Sequence, residues 1–291
     1  MKIGIIGSGA FGTALAKHLE ENGHKFRVWE HKNSALDNVI DFGEVVVNAI
    51  PVFGIRETFK GKSLKGKILI SVSKGIEKKI HKLPYQIFAD LGINSSYVVL
   101  SGPSFAKEVG EGLPTAVILA SHDKSSLTKT KTLLETESFK VEETNDVVGV
   151  ELSGALKNVL AIASGIAAGV GMGKNYQAAL FCRGLDEMIS LGNKMGARQE
   201  TFYSLAGIGD LFLSTTSDQS RNFSFGLGIG QGETIEKARN GNTVEGMGTT
   251  ESVYHLSNKF GLKPVVFHSI YSVVFEGKDP KTALEEIWHE I

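Results

Sequence analysis

The hexamer Gly7-Ser8-Gly9-Ala10-Phe11-Gly12 sits between an apolar run, Lys2 to Ile6, and a stretch from Phe11 to Asn22 that places Leu15, Ala16 and Leu19 on one helical face. Lys25 to Trp29 reads as the next strand, and Glu30 closes it, eighteen residues beyond Gly12. Strand, glycine turn, helix, strand and acid in that order describe a βαβ unit whose first turn suits a dinucleotide. Gly7 permits the tight turn, Gly9 lets the backbone approach a pyrophosphate, and Gly12 allows close helix–strand packing. The helix N-terminus adds N–H groups and a positive dipole. Glu30 suits the ribose hydroxyls of NAD. His31 and Lys32 suit the 2′-phosphate of NADP instead. The residues leave that choice open.

Further runs follow at Val45 to Ile50, Lys67 to Val72, Tyr97 to Leu100 and Thr115 to Ala120. They are nearly continuous Val, Ile and Leu separated by helical stretches, which predicts a parallel sheet buried on both faces. From Val147 the pattern becomes helical throughout. Helices are expected over Val148 to Ala168, Asn175 to Met195, Gln199 to Leu205, Thr234 to Arg239, Thr249 to Phe260, Val265 to Glu276 and Asp279 to His289. Asp279-Pro280 is a cap followed by proline at the first helical position. The fold class is therefore an α/β Rossmann-like N-terminal domain, residues 1–146, followed by an all-α C-terminal domain, residues 147–291.

A chain of 291 residues fits two domains. Its 31 Lys and Arg against 32 Asp and Glu give a net charge of −1, so no global basic field draws nucleic acid or anionic lipid. Anion recognition must be local. The single cysteine, Cys182, excludes an internal disulfide and reads as a buried small hydrophobe. The apolar run starting at Ile3 leaves no room for a basic leader, so no signal peptide is expected. Val159 to Gly173 is short for a bilayer and rich in Gly and Ala, and reads as a packed core helix rather than a membrane insertion. A cytoplasmic protein is expected.

Four segments carry candidate chemistry. Lys74, in Ser71-Val72-Ser73-Lys74-Gly75, follows a buried strand, where open α/β sheets bind ligands. Ser101-Gly102-Pro103-Ser104 follows another strand and forms a tight loop with N–H and O–H donors. Lys157 lies in an almost wholly apolar helix, which is costly unless the amine is partnered or shifted in pKa; such lysines serve as general acids and bases. Asp210, in the apolar Ala206-Gly207-Ile208-Gly209 setting, needs a cation. The run Ser220-Arg221-Asn222 that follows is a compact set of oxyanion donors, with Arg suited to bidentate phosphate binding.

The segments IGSGAFGTALA, ISVSKGIE, LSGPSFAKEV, ELSGALKNVLAIASGI, GKNYQAALFCRGLDEM, AGIGDLFLSTTSDQSRN and TVEG run in order over nearly the whole chain. In these segments the chain resembles the bacterial-type NAD(P)-dependent glycerol-3-phosphate dehydrogenases. The resemblance implies an active site between the two domains. It also implies NAD- or NADP-linked, reversible reduction of dihydroxyacetone phosphate to sn-glycerol 3-phosphate for glycerophospholipid synthesis, with no metal. By similarity, Lys157 is the catalytic acid/base. Lys74, Gly102, Ser104, Lys157, Asp210, Ser220, Arg221 and Asn222 would line the substrate. Gly7, Gly9, Ala10, Phe11, Gly12, His31, Lys74, Ala106, Arg221, Thr243 and Glu245 would contact the cofactor. The partner implied is a small phosphorylated three-carbon substrate, with no nucleic acid, and the expected assembly is a homodimer.

Two departures accompany the resemblance. The family carries a longer stretch between the second and third strands, usually with a Tyr-Leu-Pro-type segment, where this chain has only His31 to Glu44. Thr243 stands where the family more often has an apolar residue. The first departure bears on cofactor preference and affinity. Alternative readings are a 3-hydroxyacid or 6-phosphogluconate-type dehydrogenase, which shares the plan and a helix-borne lysine, and a dinucleotide-binding sensor without turnover.

Overall fold

The computed structural model describes residues 1–30, 35–241 and 243–291. His31, Lys32, Asn33, Ser34 and Asn242 lie outside the described residues, and with them the expected cofactor contact of His31. The chain divides into two units: residues 1–74 with 83–151, and residues 75–82 with 152–291.

The first unit alternates strands and helices: β1 (Lys2–Ile6), α1 (Ala10–Glu21), β2 (Lys25–Trp29), α2 (Leu36–Phe42), β3 (Val45–Asn48), α3 (Val52–Phe59), β4 (Ile68–Ser71), α4 (Pro84–Asp90), β5 (Ser96–Ser101), α5 (Ala106–Gly110), β6 (Thr115–Ala120), α6 (Lys124–Leu134) and β7 (Phe139–Thr144). The seven strands form one sheet in the order β2-β1-β3-β4-β5-β6-β7. β1 pairs in parallel with both β2 and β3, so the strand order reverses there. In an open α/β sheet that switch point is where ligands bind. Every residue of β3 and β4 is buried, which is why these strands read as continuous apolar runs. Two apolar clusters cover the faces, one containing Ile3, Leu15, Val47 and Leu100, the other Ile6, Ile55, Phe59 and Leu69.

The sheet departs from the all-parallel expectation at one place. β6 runs antiparallel to β5, and β7 pairs with β6 in parallel. Strand composition carries burial but not direction, so the reversal left no trace in the sequence.

α7 (Val147–Val170) begins in the first unit and continues into the second. It is the one helix among the described residues long and apolar enough to cross a membrane, and 94% of that apolar window is buried inside the protein. Beyond α7 the chain is helical: α8 (Lys174–Met195), α9 (Asp210–Thr216), α10 (Arg221–Gly230), α11 (Ile235–Arg239), α12 (Glu245–Lys259), α13 (Val265–Phe275) and α14 (Pro280–His289). The helix expected over Gln199 to Leu205 is instead a 3₁₀ turn, Gln199–Tyr203, followed by a π turn, Leu205–Gly209. Within the π turn, a Cβ added to Gly207 would lie 2.0 Å from the Phe202 carbonyl oxygen, so the close approach there requires glycine.

Cys182 is exposed, correcting the expectation of a buried thiol. Leu180, Gly184, Leu185, Met188 and Leu191 carry the buried face of the amphipathic α8, and residue 182 falls on the opposite face with Asp186 and Ser190.

Candidate active site

In the first unit the glycine turn connects β1 to α1 at the switch point. Gly7 has φ +118°, a region L side chains avoid, and its N–H bonds to the Trp29 carbonyl at 3.2 Å. A Cβ on Gly12 would lie 2.1 Å from the Gly7 carbonyl oxygen, so helix and turn touch through backbone alone. Gly9 differs: a Cβ there would meet nothing within 4 Å. Its glycine answers to open space in front of the turn rather than to a protein neighbour. No side chain caps α1, and Ala10 and Phe11 lead its first turn, so their N–H groups face that space. This cradle fits a pyrophosphate.

Lys74 and the Gly102 loop come together beyond β4 and β5. Lys74 Nζ donates to the Gly102 carbonyl at 3.1 Å, and Ser104 Oγ donates to the same oxygen at 3.0 Å. Gly102 has φ +129°, and a Cβ would sit 3.0 Å from Val117 Cα. Ala106 leads α5, which packs on α1 with Gly110 facing Ala14. Behind Lys74, the buried Asn48 donates to Ser73 Oγ at 2.7 Å, and Ser73 Oγ donates to the Ile50 carbonyl at 2.6 Å. This polar brace fixes the backbone that carries Lys74. Nothing in the run Val45 to Ile50 beyond a lone Asn in an apolar strand signalled it.

The second unit holds the buried charges. Lys157, 8% exposed, donates to the carboxylate of Asp210, 1% exposed, and to Ser214 Oγ at 2.8 Å. Asp210 is the first residue of α9, where the helix dipole favours an anion, and the π turn delivers it there. Ser214 is one turn further along α9, on the same face. Its spacing from Asp210 was the only sequence signal for it. The pairing answers how a lysine is tolerated in so apolar a helix.

Ser220 caps α10, accepting from the Phe223 N–H at 3.3 Å. Arg221 leads the helix and is exposed. Asn222 reaches back: its Nδ2 donates to Asn158 Oδ1 at 2.9 Å, and its Oδ1 accepts from Gly246 N–H at 3.0 Å. Through these bonds the start of α10, the residue beside Lys157, and the start of α12, led by Glu245, form one cluster. Thr243 is exposed just ahead of it. Asn158, missed in the sequence, is 4% exposed, and its buried Nδ2 has no hydrogen-bond partner among the described residues.

A buried ammonium held by a carboxylate and a hydroxyl, with an arginine-led helix end close by, can protonate an oxygen of a small anion. Residues 146–285 match the model described as the C-terminus of NAD-dependent glycerol-3-phosphate dehydrogenase, and residues 2–41 and 31–127 match its N-terminal counterpart. The chain belongs to the NAD-dependent glycerol-3-phosphate dehydrogenase family. A relative from Staphylococcus aureus, glycerol-3-phosphate dehydrogenase [NAD(P)+], is 38% identical over 322 aligned positions, covering 98% of this chain and 97% of its own. The same-named protein of Clostridium botulinum is 36% identical over 98% of this chain and 96% of its own. The crystal structure of glycerol-3-phosphate dehydrogenase from Coxiella burnetii superposes with a TM-score of 0.95 at 32% identity, covering 99% of this chain and 98% of that one. The match to the N-terminal model is broken in the stretch after β2, and 322 aligned positions exceed the 291 residues of this chain. Both findings agree with a family member shortened near His31 to Glu44.

Proposed function

We propose that this chain catalyses the reversible, NAD(P)-dependent interconversion of dihydroxyacetone phosphate and sn-glycerol 3-phosphate. The observation that carries the reading is the buried Lys157–Asp210 pair with Ser214 beside it, within a chain of this family. A sensor without turnover has no use for a desolvated ammonium held in that way, and the C-terminal family match favours the glycerol phosphate substrate over hydroxyacids or sugar acids.

When bound, a nicotinamide cofactor would supply or accept the hydride at the carbonyl carbon. Lys157 gives its proton to the carbonyl oxygen as negative charge develops there, and takes one from the hydroxyl in the reverse direction. Asp210 and Ser214 aim the ammonium. Arg221 and the leading N–H groups of α10 hold the phosphate, and Lys74 steadies substrate and cofactor. Gly7, Gly9, Ala10, Phe11 and Gly12 seat the pyrophosphate, while Ala106, Thr243 and Glu245 complete the cofactor contacts with His31. The product suits glycerophospholipid synthesis by a cytoplasmic homodimer.

Purified protein mixed with dihydroxyacetone phosphate and NADH or NADPH should consume the reduced cofactor, followed by its absorbance. Folded protein that binds cofactor and turns over neither would remove the proposal.

A further inference from the structure

Helices α7 and α10 meet without side chains between them. A Cβ added to Gly226 would lie 2.1 Å from the Ile162 carbonyl oxygen, and one on Gly230 would lie 2.3 Å from that of Ile166. From the other side, a Cβ on Gly165 would lie 2.1 Å from the Phe223 carbonyl oxygen, and one on Gly169 would lie 2.4 Å from that of Leu227. One turn before the first of these contacts, Asn222 bonds to Asn158 at 2.9 Å. The pairs 158–222, 162–226 and 166–230 advance by four residues on each helix, so the two run in the same direction in fixed register. Four residues of helix rise about 6 Å. A slip by one turn would displace the start of α10 by that amount, and any Cβ at the crossing would lift it away.

The register decides where the anion end of α10 stands along α7. It is level with the Lys157–Asn158 turn. Asn222 spends its carboxamide on Asn158 and Gly246, leaving Arg221 and the leading backbone N–H groups to the ligand. Because Asn158 Oδ1 takes the Asn222 hydrogen, its carboxamide faces the start of α10, and the buried Nδ2 beside it has no partner among the described residues.

We propose that Gly165, Gly169, Gly226 and Gly230 are positioning residues that act as a length gauge, fixing the separation between the phosphate seat of α10 and the Lys157 ammonium so that a three-carbon phosphate is selected. The inference rests on the function proposed above. With that separation fixed, a substrate one carbon longer or shorter is expected to fit its phosphate on α10 and its carbonyl oxygen at Lys157 less well than a three-carbon phosphate does. Misplacement of reacting groups by about 1 Å can lower rates by about a hundredfold, so a rigid crossing is enough for such selection.

The test compares kcat/KM for dihydroxyacetone phosphate with that for a ketose phosphate one carbon longer, in wild type, Gly226→Ala and Gly230→Ala, alongside NADH binding by fluorescence. The expected result is a KM for dihydroxyacetone phosphate raised about tenfold or more, and a length preference reduced at least about fivefold, with the NADH dissociation constant within about twofold of wild type. Gly173→Ala, at the start of α8 where a Cβ meets nothing within 4 Å, should match wild type in every measurement. If Gly226→Ala does not fold, Gly169→Ala, farther along the crossing from Lys157, reads the same ratio. Folded variants that lose only stability or kcat and keep the wild-type length preference would overturn the gauge. Absence of turnover by wild type itself would overturn the function it rests on as well.

Discussion

Lys157 donates to Ser214 Oγ at 2.8 Å while paired with Asp210, and all three side chains are buried. Removing one partner from such a pair leaves an uncompensated charge, a loss of about 3–5 kcal/mol. Asp210→Asn is therefore expected to lower the midpoint of thermal unfolding sharply and to reduce kcat. Lys157→Met should lower kcat by about 10²–10⁴ while NADH still binds. The double variant Lys157→Met/Asp210→Leu separates the two effects, because an apolar pair of similar volume restores stability and cannot restore proton transfer. Chemical denaturation and steady-state kinetics on the three proteins check this; unchanged turnover in Lys157→Met would remove the acid/base role.

Two glycines of the turn, Gly9 and Gly12, should respond in opposite ways. Gly9 has φ −65° and ψ 173°, so alanine fits its backbone, and its Cβ would point into open space. Gly9→Ala is expected to keep stability within about 1 kcal/mol of wild type and to weaken NADH and NADPH binding. Gly12→Ala drives a Cβ onto the Gly7 carbonyl oxygen and should destabilise the protein by about 1–3 kcal/mol, with cofactor binding falling in step. Thermal unfolding with and without cofactor distinguishes them. Full cofactor affinity in Gly9→Ala would show that the turn is not the pyrophosphate seat.

These contrasts mark what the sequence could carry. The turn was legible because each glycine has a single steric or ligand cause at a fixed spacing. Lys157 and Asp210 were legible because a charge in an apolar stretch demands a partner, and the expectation that Asp210 orients the Lys157 ammonium matches the pair that forms across 53 positions. Ser214 was not, since its one-turn spacing from Asp210 acquires meaning only once α9 is placed. β7 was passed over because it is a half-exposed edge strand, alternating Phe139 and Val141 with exposed Lys140 and Glu142, and the other strands are continuous apolar runs. The helical nature of Arg221–Gly230 was hidden by four residues of poor helix propensity: Gly226 and Gly230 serve the close crossing with α7, Asn222 ties to Asn158, and Gly228 lies against Glu233 and Ala238.

Cofactor preference should reflect the shortened stretch after β2. Glu30 and the pair His31-Lys32 favour different adenosine ends, so NADH and NADPH are both expected to support turnover. His31→Ala should weaken NADPH more than NADH, measured as the ratio of kcat/KM for the two. A strong preference for one cofactor, unmoved by His31→Ala, would assign recognition of the adenosine to other residues.

Stability should fall as pH rises from the weakly acidic range. Glu151 accepts from the Tyr97 hydroxyl and from the Tyr85 N–H at 3.2 Å, and burial pushes its carboxyl up to about 8 from an ordinary 4.5. Glu187 accepts from the Val266 and Phe267 N–H groups at 2.9 and 3.1 Å, capping α13, and burial pushes it up to about 7. Between the unfolded and folded values the native state binds more protons than the unfolded chain, so the free energy of unfolding decreases with rising pH. The contribution of each group is complete below about 4.5 and is lost as pH passes about 7 for Glu187 and about 8 for Glu151. Tyr97 moves the same way, pushed above its ordinary value first by burial and then by the Glu151 charge, and so reinforces the Glu151 trend at higher pH. Urea denaturation between pH 5 and pH 9 should show the decline in wild type. In Glu151→Gln, which keeps an acceptor for Tyr97 and cannot ionise, the upper part of the slope should flatten while the part set by Glu187 persists. A slope identical to wild type would mean that Glu151 ionises in the folded protein as readily as in the unfolded chain.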